Sequence, residues 1–124
     1  MQRESLPEAA DYRAPDGSEV RLLVAGEGGG LAHFRLAAGE VSQPKQHRTV
    51  EELWYFVAGS GEMCVGDEVA EVGVGDSLLI PPRTRFQFRC VGEEGLEAVA
   101  ATIPPWPGPD EALDAEPWWP ENGR

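Results

Sequence analysis

The 124-residue chain carries a formal charge of −12 at pH 7, with 22 acidic and 10 basic residues, 15 glycines and 11 prolines. This length suits one domain with a single core. The acidic balance argues against nucleic acid and anionic membrane surfaces as partners, because like charges repel, and no run is long and apolar enough to span a bilayer as a helix. No apolar signal segment follows Met1, so a cytoplasmic protein is expected. Cys64 and Cys90 lie in separate apparent strands and read as buried free thiols.

Residues 1–17 are polar, end in a Pro15–Gly17 turn, and read as an N-terminal arm. Val20 to Ala25 is apolar and β-rich, and Gly28-Gly29-Gly30 turns the chain. Leu31 to Ala37 alternates: Ala32, Phe34 and Leu36 share one face, and Leu31, His33 and Arg35 the other. The stretch from Gly39 to Gly59, G-E-V-S-Q-P-K-Q-H-R-T-V-E-E-L-W-Y-F-V-A-G, holds Lys45, His47 and Glu52 and ends in an aromatic strand. Hairpin turns at Ser60-Gly61 and Gly66-Asp67 frame Glu62 to Val65 and Glu68 to Val72. Met63 and Val65 read as core, and Cys64 as facing outward. Ser77 to Ile80 stops at Pro81-Pro82, and Arg85 to Val91 sets Phe86, Phe88 and Cys90 on one side with Gln87 and Arg89 on the other. Leu96 to Ile103 is the last strand. About seven or eight short strands at roughly ten-residue spacing predict an all-β barrel or sandwich.

From Pro104 the composition changes. Residues 104–124 carry three of the four tryptophans among prolines and lack a strand pattern. Proline removes donors and fixes φ, so this tail either wraps the barrel with tryptophan anchors or frays. Trp106 is expected to wrap, and Trp118 and Trp119 are left open.

Two glycine-bounded segments resemble the paired motifs of the cupin superfamily, a double-stranded β-helix (jelly-roll) barrel. Gly39, His47, Glu52 and Gly59 match the first motif, and Gly75 and Pro81 the second. The resemblance spans about Val20 to Ile103 and implies a barrel over residues 18–103. H-R-T-V-E-E-L-W-Y, F-Q-F-R and P-P-W-P-G look like a subgroup of short bacterial single-domain cupins. In metal-bearing cupins three histidines and the glutamate hold one divalent ion. Here the first histidine position is Lys45 and the second-motif histidine position is Phe86. The asparagine position is Cys90, and Arg83 stands where the second glycine of P-x-G would be. His47 and Glu52 alone match the ligand set.

A catalytic divalent ion takes about three protein ligands, so zinc, iron, manganese or nickel on His47 and Glu52 is the lesser expectation, with Cys90 or His33 as conceivable additions. The sharper one places the Lys45 ammonium where the metal charge would sit, paired with Glu52 and bridged by His47. Such a cluster has perturbed titration and supplies an acid/base set for isomerising, dehydrating or cyclising a small molecule. It equally fits a satisfied polar core. A Schiff-base lysine is a remoter option. Trp54, Phe86 and Phe88 are expected to line the substrate cavity with Phe56; Arg83 and Arg85, with Arg48 and Arg89 nearby, would receive an anionic group if they line the barrel mouth, the plainer reading being exposed arginines that balance nearby acids. Glu51 is expected to face solvent. Three readings follow: an enzyme using Lys45, His47 and Glu52, a metal-dependent cupin, and a non-catalytic ligand-binding module. A homodimer is expected from the resemblance.

Overall fold

The structure, a computed structural model, describes residues 1–14 and 16–120. Pro15 of the expected turn and the last four residues of the tail lie outside the described residues. Eleven strands follow in chain order: β1 (Tyr12–Arg13), β2 (Glu19–Ala25), β3 (Gly30–Leu36), β4 (Lys45–His47), β5 (Glu51–Ala58), β6 (Ser60–Val65), β7 (Glu68–Gly73), β8 (Ser77–Ile80), β9 (Phe86–Cys90), β10 (Leu96–Ile103) and β11 (Ala112–Asp114). Among the described residues the one helical element is a 3₁₀ turn at Pro109–Glu111. Among the described residues no helix is long and apolar enough to cross a membrane.

The strands form two antiparallel sheets, one six-stranded in the order β1-β2-β3-β10-β5-β8 and one five-stranded in the order β11-β4-β9-β6-β7. Strict alternation directs the core. On β5, Glu52, Trp54 and Phe56 point inward while Leu53, Tyr55 and Val57 are exposed. Ala32, Phe34 and Leu36 of β3 and Leu96, Ala98 and Ala100 of β10 fill the same side, and Phe86, Phe88 and Met63 face them from the second sheet. Trp54 is the centre of this packing. Its ring stacks on Phe34 at 5.0 Å and meets Phe88 edge-on at 4.9 Å. Each such aromatic pair adds about 1 kcal/mol beyond area burial.

Arm and tail both join the sheets. β1 pairs with β2, and β11 pairs with β4, so ladder bonds extend outside residues 18–103. Before β1 the chain crosses the outer face of the larger sheet, where the Arg21 guanidinium donates to the carbonyls of Pro7 and Glu8. The end of the described tail docks on the outer face of the smaller sheet. Gln87 Oε1 accepts from the amides of Trp118 and Trp119, and its Nε2 donates to the carbonyls of Trp119 and Ser42. Arg89 lies over the Trp119 ring at 4.7 Å and Arg85 over Trp118 at 5.4 Å. Cys64 lies on this outer face opposite Gln87 and is nonetheless fully buried. An outward strand position is no guide to exposure once a second layer covers it.

Candidate active site

At one end of the barrel, side chains from both sheets and both termini surround a cavity of about 200 Å³. The polar groups on its wall are Tyr12, Asp16, Lys45, His47, Glu52 and Thr102. Its apolar wall combines the aromatic rings of Phe34, Trp54, Phe86 and Trp106 with aliphatic side chains such as Val20, Leu22, Leu23 and Leu31.

Glu52 sits at the inward position near the start of β5, opposite Thr102 of β10. It is 2% exposed. Trp54 Nε1, two residues along on the same face, donates to Glu52 Oε1 at 2.9 Å. No hydrogen bond reaches Oε2 among the described residues. Burial pushes the Glu52 pKa up to about 7; the indole bond opposes the rise and the nearby Asp16 carboxylate adds to it. A carboxyl in this state exchanges its proton near neutrality.

Asp16 arrives from the chain before β2 and is also buried. Its Oδ1 accepts from the Ser18 amide at 2.9 Å and from Ser18 Oγ at 2.6 Å, a local turn that fixes its direction. Burial raises its pKa, opposed by those bonds and by Lys45.

Lys45 and His47 lie on one face of β4 because Gln46 between them takes the other. The His47 ring is held between the edges of Phe86 at 5.0 Å and Trp106 at 5.1 Å. Burial drives its pKa down to about 4, against the pull of Glu111, so the imidazole is neutral at physiological pH. Its Nδ1 is buried with no hydrogen-bond partner. Glu111 locks the loop that follows, accepting from the Thr49 amide at 2.6 Å, Thr49 Oγ1 at 2.9 Å and the Val50 amide at 2.7 Å.

Several expectations are corrected by this geometry. Lys45 does not pair with Glu52. Its Nζ donates to Asp114 Oδ1 at 2.6 Å, because β11 places Asp114 opposite Lys45 in the ladder, whereas Glu52 belongs to the other sheet. No hydrogen bond links His47 to either residue. Phe88 is core, packed against Trp54, and is absent from the cavity wall. The arginines do not line the cavity either. Arg85 donates to Gly66 O, Glu116 O and Asp67 Oδ1 on the outer surface. Arg83 is exposed in a left-handed turn with φ of 56°. His33 is on the outer face of the larger sheet, its Nε2 2.7 Å from Glu97 Oε1.

The metal expectation fares no better. Among the described residues no group of three or more His, Cys, Asp or Glu is gathered closely enough to hold an ion. Lys45 is engaged by Asp114, Phe86 has no donor atom, and Cys90 Sγ donates to Glu94 O at 3.0 Å. The side chains present do not fit a resident divalent cation.

Of the expected residues, Lys45, His47, Glu52, Trp54 and Phe86 share the cavity. Asp16, Tyr12 and Thr102 were not anticipated. The D-G-S run at Asp16 carried a usable signal, since an Asp two residues before Ser caps a tight turn. Asp114 as the partner of Lys45 carried none, being 69 positions away.

Residues 32–102 match the profile of the family described as the cupin domain. An uncharacterised protein of Methanocaldococcus jannaschii is 31% identical over 107 residues, covering 82% of this chain and 86% of that one. A double-stranded β-helix protein from Klebsiella pneumoniae superposes with a TM-score of 0.73 at 15% identity, over 94% of this chain and 99% of its own. Streptomyces PAC13, solved with uridine as a histidine-to-glutamine variant, superposes with a TM-score of 0.72 at 14% identity, over 93% and 92%. The structural matches at these identities speak to the fold, while the family profile and the Methanocaldococcus relative speak to descent: this chain belongs to the cupin family.

Proposed function

We propose that this cupin is a small-molecule enzyme that moves a proton at Glu52, in an isomerisation, dehydration or cyclisation. The observation that carries the reading is a carboxyl 2% exposed, fixed by one indole N–H and bordering a largely apolar cavity, with its pKa raised to about 7. Such a group takes up or releases a proton at little cost near neutral pH. Neutral His47 lines the same wall and offers a hydrogen-bonding ring that carries no charge. Lys45 bears on Asp16 electrostatically and ties β4 to β11 through Asp114. The aromatic walls exclude water and hold a flat substrate.

The test is hydrogen exchange into small ring-bearing ketones and alcohols incubated with the protein in D₂O, followed by NMR, for wild type and Glu52→Gln. Exchange or turnover that depends on Glu52 supports the reading. Activity that survives in Glu52→Gln sinks it, and ligands that bind with neither exchange nor turnover make the chain a binding module. The expected homodimer is part of the same proposal. It is supported by the apolar outer face of the larger sheet, where Leu53, Tyr55, Val57 and Leu79 are exposed. Sedimentation of wild type against Leu53→Glu tests it, a monomeric wild type being the contrary result.

A further inference from the structure

The charges facing the cavity carry information about its ligand. Among the described residues the one cationic side chain on the wall is Lys45, and its ammonium is already within 2.6 Å of Asp114. Two carboxyl groups, Asp16 and Glu52, face the same space. The arginines expected to receive an anion are outside: Arg85 is held by Asp67 and two carbonyls, and Arg83 is exposed. An anionic ligand entering here would leave its hydration shell with no free cation to meet it. A hydroxyl or an ammonium finds the opposite: carboxyl oxygens that accept and aromatic faces that attract positive charge.

A second feature calls for a ligand. Glu52 is 2% exposed and lines the cavity, and among the described residues its Oε2 accepts no hydrogen bond. Buried polar atoms are nearly always paired, so one left open on a cavity wall is a position for a ligand group or an ordered water. The volume of about 200 Å³ is below the usual range for drug-sized ligands, which limits the occupant to about one ring with a short substituent.

We infer that the cavity takes a small ring compound that bears a hydrogen-bond donor, hydroxyl or ammonium, and no negative charge. The donor meets Asp16 and Glu52, and the ring lies among Trp54, Phe86 and Trp106. This rests on the proposed function only in taking the cavity as the ligand site. It is read by binding alone and needs no turnover.

Three probes share one ring and one chain length: 2-phenylethylamine, 2-phenylethanol and phenylacetate. Calorimetry and tryptophan fluorescence of the full chain at neutral pH measure their affinities. The amine or the alcohol should bind about tenfold or more tighter than the carboxylate, and the ratio of amine to alcohol tells which donor the site prefers. Asp16→Asn should bring the amine and carboxylate affinities closer together. Trp106→Ala, on the wall but outside the barrel strands, should weaken amine and alcohol alike and is the second variant should Asp16→Asn not fold. Phenylacetate binding as tightly as both donors overturns the charge inference and leaves the cavity a ligand site. No binding of any probe by about 10 mM overturns the inference and the ligand site together. A failure of the proton-transfer reading alone shows instead in the deuterium experiment, with binding intact.

Discussion

Replacing Glu52 by glutamine should stabilise the protein, and by an amount that depends on pH. Glutamine keeps the shape and an oxygen for the Trp54 indole but carries no charge. The Glu52 pKa moves from 4.5 to about 7 on folding. A carboxyl raised in this way costs nothing while it is protonated in both states. As pH rises above 4.5 the unfolded chain ionises and the folded one does not, so stability is lost until the folded group also ionises near 7. The shift of 7 − 4.5 = 2.5 units corresponds to about 3 kcal/mol in full. Near pH 8 nearly all of it is felt, and near pH 5 about 1 kcal/mol. Urea unfolding of wild type and Glu52→Gln at those two values should therefore give a gain of about 3 kcal/mol at the higher pH and about 1 at the lower. Asp16 and His47 titrate in both proteins and largely cancel in the difference. An equal effect at the two pH values, or a loss at pH 8, would refute the claim that burial raises the Glu52 pKa.

His47 has the opposite sign. Its pKa falls from 6.5 to about 4 on folding, so its contribution is intact above 6.5 and is lost as pH falls toward 4. Wild type should lose about 3 kcal/mol over that window through this group, a loss missing from His47→Leu in parallel urea titrations. Glu111→Gln should cost about 2 kcal/mol at neutral pH through three weakened hydrogen bonds to Thr49 and Val50. Because the Glu111 pKa is lowered by those bonds, the stability it supplies is present above 4.5 and fades as pH falls through its folded value, so chemical denaturation should show the mutant penalty shrinking in acid. Arg83→Gly should raise stability by about 0.5–1 kcal/mol, since a left-handed φ of 56° strains any residue with a Cβ. Unchanged or lower stability there would mean that the unfolded-state entropy of glycine outweighs the relief.

Much of the barrel was legible because its alternation is strict. Glu52, Trp54 and Phe56 inward against Leu53, Tyr55 and Val57 outward follows from a period of two, and the same rule put Lys45 and His47 on one face. Arg83, which stands where the motif has a glycine, adopts a left-handed backbone that was not anticipated. What sequence could not give was the covering layer. The Gln87 clamp on Trp118 and Trp119, the burial of Cys64 and the burial of His33 on an outward face all depend on segments distant in the chain. Charge pairing failed for the same reason. Lys45 was placed near Glu52 because it occupies a histidine-ligand position of the motif, yet ladder register between β4 and β11 brings Asp114 to it instead. Asp16 was read as part of a polar arm, although its turn with Ser18 folds it into the cavity wall.

The most direct test is the titration of Glu52 itself, by infrared difference spectra of wild type against Glu52→Gln across about pH 5 to 9. A protonated carboxyl band that persists through acid pH and disappears with a midpoint near 7 is the expected result. A band already gone by about pH 5 would mean an ordinary ionised carboxylate, and Glu52 could not serve as the proton-exchanging group of this cavity.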